Sequence, residues 1–203
     1  MRLRMRRPLT TTDHRVVHQV ASWCLGYPDD ALLARLPLLD AALAEQDDTE
    51  ATDLLRGMVR HLAQTPPEVL RHDYIDLFDL NRKHTLYLTY WTDGDTRRRG
   101  ESLAAIKQLY RDSGFVVDLH GELPDHLPII LEFCAIADPE RGTELLRTHR
   151  RALESIRQAL TERGSRHADV LTAICSTLPA GEGTGFGVRT EIPIEAVGLE
   201  TFR

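Results

Sequence analysis

Apolar residues recur every three or four positions through most of this chain, the period of one helix face. Val16, Val20 and Trp23, with Val17 and Cys24 beside them, predict a helix from about Thr12 to Tyr27, capped by Thr12 or Asp13 and stopped at Gly26-Tyr27-Pro28. The stop follows because proline disfavours helix at the residue before it. Leu32, Leu33, Leu36, Leu39 and Leu43 predict a second helix from Asp29 or Asp30 to Ala44, kinked at Pro37. Leu54, Leu55, Met58, Val59 and Leu62 mark a third, ending near Gln64. Beyond Pro66-Pro67, a fourth carries Val69, Leu70, Tyr74, Leu77 and Phe78. Further periodic runs predict helices over Asp95–Ser113, with Gly114 as its stop, Thr143–Arg163 and Ser165–Leu178.

Two segments depart from this pattern. Residues 79–95, DLNRKHTLYLTYWTDGD, have the aromatic and β-branched content of a strand, yet nothing else in the chain offers to pair with them. They read as an extended or short helical crossover lying on the bundle. The other is DHLPIILEFCAIA, Asp125 to Ala137, whose one charge beyond the first turn is Glu132. A helix apolar on every side belongs in the middle of a bundle. The expected architecture is all-α, a single-domain bundle of seven or eight helices over residues 12–178. Flexible tails are expected at 1–11 and at the Gly- and Pro-containing 179–203.

Composition narrows the function classes. A net charge of −6 over 203 residues argues against a nucleic-acid binder. No run approaches the length of a membrane span, and basic Met1–Pro8 lacks the apolar stretch of a secretory signal. Cys24, Cys134 and Cys175 show no CxxC spacing and sit in apolar helical contexts, which fits reduced core thiols and a cytoplasmic location. Of 25 basic residues only Lys83 and Lys107 are lysines. Arginine suits bidentate contact with carboxylates, although base composition of a genome yields the same bias.

No hydrolase, phosphate-loop or zinc-protease motif is present. His14 and His18 stand four apart, as a metal pair would, but third and fourth ligands cannot be named. The acids Asp73, Asp76 and Asp79 beside His72 read as a solvated face. The chain is therefore expected to have no catalytic site, metal or cofactor. Glu122-Leu123-Pro124-Asp125-His126-Leu127-Pro128 admits three readings. Asp125 caps the following helix; or Asp125-His126 is the back half of a triad with no evident nucleophile; or Glu122, Pro124, Asp125 and His126 form a stiff, protonatable hinge. The hinge accounts for most of these residues. Arg97-Arg98-Arg99 in a first helical turn opposes the macrodipole by about 0.3–1 kcal/mol each. They are either a solvated run or reach a carboxylate, with Glu132 the candidate, or a partner's acid. Tyr74, Phe78, Leu80, Leu86, Tyr87, Tyr90 and Trp91 concentrate the aromatic content and read equally as core or as the lining of a peptide groove.

Five segments, in order, resemble one family: Leu25-Gly26-Tyr27-Pro28-Asp29, Tyr74-Ile75-Asp76-Leu77-Phe78-Asp79, Gly94 to Gly100, Gly114-Phe115, and Glu122 to Pro128 leading into Leu131-Glu132-Phe133. The family is the NarJ group of nitrate reductase molybdenum-cofactor assembly chaperones, within the TorD-like redox-enzyme maturation chaperones. The likeness spans about residues 13–165. It implies an all-helical, non-enzymatic cytoplasmic chaperone, monomeric or weakly dimeric. Such a chaperone binds the N-terminal segment of the apo nitrate reductase catalytic (alpha) subunit. It holds that subunit competent for molybdenum cofactor and iron–sulfur insertion before membrane docking. In the family the client is a short amphipathic peptide in an apolar groove. The expected peptide-binding residues are Tyr74, Phe78, Leu80, Leu86, Tyr87 and Tyr90, with Arg98 and Arg99 at the rim. Alternatives are a chaperone of another molybdoenzyme that recognises a twin-arginine leader, or a cofactor carrier of the same fold.

Overall fold

A computed structural model describes residues 14–80 and 82–179, so the two expected tails, and the predicted cap of the first helix at Thr12 or Asp13, lie outside the described residues. Among the described residues the chain forms ten α-helices and no strand. They are α1 His14–Cys24, α2 Asp30–Ala44, α3 Glu50–Gln64, α4 Pro67–Tyr74, α5 Leu88–Asp93, α6 Arg97–Asp112, α7 Leu127–Glu132, α8 Pro139–Thr148, α9 Arg150–Glu162 and α10 His167–Thr177. Two π turns, Ile75–Asp79 and Phe133–Ala137, continue α4 and α7.

The helix count exceeds the expected seven or eight for two physical reasons. First, the crossover contains a helix of its own, α5. Second, the run expected over Thr143–Arg163 breaks at His149. There the His149 amide is shared between the carbonyls of Leu145 and Leu146. The buried imidazole lies 3.0 Å from the Leu145 carbonyl through Nδ1; since a carbonyl only accepts, Nδ1 carries the proton. Capping chemistry fixes other boundaries. Asp29 Oδ1 accepts from the Leu32 amide at 2.7 Å to start α2, Thr49 and Thr52 form a reciprocal capping box for α3, and Asp138 starts α8. Gly114, at φ +77°, ends α6 in the left-handed region glycine tolerates.

The core is built around α10, which packs on α3 and α9, and around α1, which packs on α7, its π turn and α10. α1 runs antiparallel to α7 and its π turn. Arg15 Nε donates to the Ala135 carbonyl at 2.7 Å, and Ser22 Oγ donates to the Pro128 carbonyl at 2.8 Å. Leu127, Ile130, Leu131 and Cys134 are sealed inside, each large apolar side chain contributing about 1.5–3 kcal/mol. The α7 segment is not apolar on every side, however. Glu132 and Ile136 are exposed and Pro128 is half-buried, so α7 has one solvent-facing edge. His18 is buried on α1, where its Nε2 donates to Thr177 Oγ1 on α10 at 3.0 Å. That hydroxyl gives its own proton to the Ile174 carbonyl. His18 is thus a core strut and His14 is exposed. No cluster of three or more His, Cys, Asp or Glu suited to a metal occurs among the described residues.

At the base of α10, the His167 ring meets Phe78 edge-on at 5.1 Å. Desolvation, and then the nearby His61, lower its pKa from 6.5 to about 4. Unfolding restores the ordinary value, so the unfolded chain binds the extra proton between those limits. The stability from neutral His167 is whole above pH 6.5 and is lost as pH falls toward 4, a change of up to about 3 kcal/mol. Urea titrations across that range should show this acid-side slope in the parent and a shallower one in His167→Phe. Equal slopes would remove His167 as the cause.

Candidate functional site

The crossover and the polar loop, far apart in sequence, are joined backbone to backbone. The Leu127 amide donates to the Leu86 carbonyl at 2.9 Å and the Leu88 amide donates to the Asp125 carbonyl at 3.1 Å. This makes Tyr87 and His126 an isolated antiparallel bridge pair. The crossover was expected to find no pairing partner; it finds one residue's worth, because a turn closed by the His126 amide on the Leu123 carbonyl at 3.1 Å delivers His126 in an extended conformation, φ −66° and ψ 120°.

Asp125 is fully buried. It was expected to cap the helix that follows it, yet the residue before α7 is His126 and that helix has no side-chain cap. The carboxylate turns instead to α5. Asp125 Oδ2 accepts from the Thr89 amide at 3.0 Å and the Thr89 hydroxyl at 2.6 Å. Its other oxygen, Oδ1, is buried without a hydrogen-bond partner. Thr89 Oγ1 also accepts from Arg99 Nε at 3.2 Å. Arg99 pairs with Asp95 at 3.2 Å and lies 5.8 Å from the centre of the Tyr90 ring. The Tyr87 hydroxyl donates to Glu122, and the Tyr87 and His126 rings are 5.2 Å apart. Burial, then the Glu122 hydrogen bond, push the Tyr87 phenol up, so it stays a neutral donor. Burial lowers the His126 pKa against the opposing pull of Glu122 and Asp125. The Tyr110 hydroxyl donates to the Pro124 carbonyl at 2.8 Å. Glu122, Pro124, Asp125 and His126 therefore meet Leu86, Tyr87, Tyr90 and Arg99 in one junction.

The remaining expected binding residues lie elsewhere or beneath the surface. Tyr74 is buried, its hydroxyl donating to the Leu25 carbonyl at 3.1 Å. Its ring packs on Tyr27 at 5.4 Å and on Phe78 at 4.8 Å. Leu86 is likewise buried, whereas Leu80 is 76% exposed. Arg98 is exposed and reaches Asp93 at 3.3 Å, whose side chain is largely enclosed and accepts from Ser102. The carboxylate met by these arginines is thus Asp93 or Asp95, not Glu132. The reason is placement: Glu132 sits on the outward edge of α7.

Sequence reasoning missed Thr89, which has no motif around it. It also missed an exposed apolar surface beside the junction, although the run Phe115-Val116-Val117 after Gly114 was a signal. Phe115 and Ile136 are about half exposed and Val116 is 100% exposed. They line a cavity of about 210 Å³ with Ile129, Phe133 and Glu132, and Phe115 to Val117 also line a cavity of about 510 Å³ against α6.

Comparisons with known proteins agree with this architecture. "Nitrate reductase-like protein NarX" of Mycobacterium tuberculosis is 42% identical over 162 residues, 80% of this chain but 24% of that protein. The chain thus spans about a quarter of the length of the first curated relative it matches. "Probable nitrate reductase molybdenum cofactor assembly chaperone NarJ" of Bacillus subtilis is 31% identical over 170 residues, covering 84% of this chain and 92% of that one. NarJ of Escherichia coli, a nitrate reductase molybdenum cofactor assembly chaperone, is 29% identical over 78% of this chain and 69% of its own length. The crystal structure of a candidate redox enzyme maturation protein from Archaeoglobus fulgidus has the same fold. Its TM-score is 0.62 at 23% identity, covering 85% of this chain and 98% of that one. The family model described as "Nitrate reductase delta subunit" matches residues 44–173, and with the Bacillus relative this shows that the chain belongs to that family, whose relatives include the NarJ proteins.

Proposed function

We propose that this protein is a maturation chaperone without enzymatic activity. Its client is the N-terminal segment of the apo nitrate reductase catalytic subunit, which it keeps competent for molybdenum cofactor and iron–sulfur insertion before membrane docking. The observation that carries the reading is the junction itself: in a chain of this family, a stretch of aromatics is pinned to Glu122–His126 through one bridge pair. In this reading Tyr87 and Tyr90, over buried Leu86, supply contact surface at the junction, Phe78 and Leu80, beside buried Tyr74, supply a second patch, and Arg98 and Arg99 stand at the rim. Burial of a few client side chains at about 1.5–3 kcal/mol each, less ordering costs, gives capture that is tight yet reversible. The protein works in the cytoplasm as a monomer or weak homodimer. No helix among the described residues is long and apolar enough to cross a membrane.

Calorimetric titration with a peptide of the client's N-terminus tests this, with a scrambled peptide and a twin-arginine leader as controls. One-to-one binding of the first alone is expected. Binding of the leader alone moves the protein to another molybdoenzyme, and no binding of either defeats the reading. His126→Ala should weaken binding by about tenfold, or 1.4 kcal/mol, with the far-ultraviolet spectrum unchanged.

The pH dependence has a definite sign. Burial holds the His126 pKa below its ordinary value, so the intact junction favours the neutral ring. That contribution is whole above about pH 6.5 and declines as the solution is acidified. Affinity should be flat from neutral to mildly alkaline pH and fall on the acid side, and that acid-side fall should vanish in His126→Ala.

A further inference from the structure

The end of α5, one face of α6 and the break between α8 and α9 enclose a cavity of about 380 Å³, within the size range of small-ligand sites. Its floor is apolar, made by Ala105, Ile106, Leu109 and Leu145. Its polar lining is one-sided, because each hydroxyl there has already given its proton to the chain. Ser102 Oγ donates to Asp93 Oδ2 at 2.7 Å, Thr148 Oγ1 to the Glu144 carbonyl at 3.0 Å and Thr92 Oγ1 to the Thr89 carbonyl at 3.4 Å. What these groups offer a ligand is lone pairs.

His149 points the same way. It is 8% exposed and borders the cavity. Its Nδ1 proton is committed to the Leu145 carbonyl, and Nε2 has no hydrogen-bond partner among the described residues. A ring nitrogen so enclosed, and left as a bare acceptor, calls for a donor. Two carboxylates add negative charge. The Asp93 side chain is 6% exposed, and Glu101 is exposed and forms no ion pair or hydrogen bond among the described residues. Against them the described lining sets Arg98, whose Nε stands 3.3 Å from Asp93 Oδ1 although its side chain is 80% exposed.

We propose that this cavity binds a guanidinium group carried on an aliphatic stem. The stem lies along the apolar floor, and the planar head donates to Asp93, Glu101 and His149 Nε2. A guanidinium has five N–H donors and no acceptor, which suits a lining rich in acceptors. An ammonium has fewer donors and is more strongly hydrated, so it fits less well. Arg98 is the resident competitor: it covers Asp93 from the solvent side and gives way as the ligand enters. The guanidinium comes from a free small molecule or from an arginine side chain of a bound peptide.

The test titrates the full chain with n-butylguanidinium, n-butylammonium and N-butylurea, the last a neutral near-isostere of the first. Methyl resonances of Ile106, Thr92 and Thr148 report on the cavity, and Ile75, which does not border it, is the control. Saturable shifts with n-butylguanidinium, tighter than with n-butylammonium and absent with N-butylurea, are the expected result. Glu101→Gln should weaken binding by about threefold and Arg98→Gln should strengthen it by about threefold. Asp93→Asn should weaken it by about tenfold. No saturation, an equal response to N-butylurea, or weaker binding in Arg98→Gln overturns the proposal. If Asp93→Asn fails to fold, the two exposed positions still decide, since neither Glu101 nor Arg98 is part of the core. Free arginine and a capped arginine peptide, with citrulline versions of each as controls, distinguish the sources by which binds more tightly. No client peptide enters these titrations, so their failure leaves client capture at the junction untouched.

Discussion

Replacing Asp125 with alanine is expected to lower the free energy of unfolding by about 2–4 kcal/mol, read as a fall in the urea midpoint at unchanged slope. The carboxylate holds the first turn of α5 through two hydrogen bonds to Thr89, and Tyr87, the residue before that helix, gives it no side-chain cap. A helix of six residues cannot sustain itself by propagation, so releasing its first turn releases the crossover. Part of the loss is offset, because the substitution also removes the buried, unpartnered Oδ1. Asp125→Asn keeps one acceptor for Thr89 without the charge and should fall between parent and alanine. The cycle with Thr89→Val isolates the pair: the two losses should be less than additive, since both remove the hydroxyl–carboxylate bond. Strict additivity would mean that Asp125 acts through something other than Thr89.

Gly142→Ala should destabilise by about 1–3 kcal/mol, although the same exchange inside a helix ordinarily stabilises by up to about 1 kcal/mol. A β-carbon at position 142 would meet Cys134 Sγ at 2.5 Å and Cys134 Cα at 2.9 Å. The sulfur can be removed but the backbone of the π turn cannot step aside, so Cys134→Ala should rescue only part of the loss. Gly57, within α3, is the control. Nothing lies within 4 Å of its hypothetical β-carbon, and Gly57→Ala should raise the melting temperature. If both exchanges shift it in the same direction, close packing of α8 on the turn after α7 is not what position 142 requires.

The long helices were legible because their apolar stripes outlast local noise: Leu32, Leu36, Leu39 and Leu43 on α2 and Leu153, Ile156 and Leu160 on α9 are all buried. Breaks inside a continuous stripe were not. His149 keeps the spacing expected of an unbroken helix, and its shared amide and its ring's bond to the Leu145 carbonyl mark the interruption. The candidate site divides in the same way. Glu122–Pro128 could be singled out because prolines and ionisable groups crowd together there. The partner of Asp125 could not, since an N-cap donor is assumed local and Thr89 lies 36 residues away. The aromatic run was read as one cluster because it is contiguous in sequence. The π turn and the 3₁₀ turn at Arg82–His84 redirect the chain within that run, leaving Tyr74 and Phe78 against His167 and Tyr87 against His126.

The distance along the chain between Thr89 and Asp125 has a consequence during synthesis. At about 5–20 residues per second, the ribosome needs about 2–7 s to add those 36 residues. For that interval the nascent crossover has neither its cap nor its bridge partner, and Tyr87, Tyr90 and Trp91 remain open to whatever the cell offers first. A translational pause placed when Tyr87–Trp91 have emerged from the ribosome and Asp125 has not should lengthen this exposure and increase recruitment of general folding factors to the emerging chain. A pause after Asp125 has itself emerged should not.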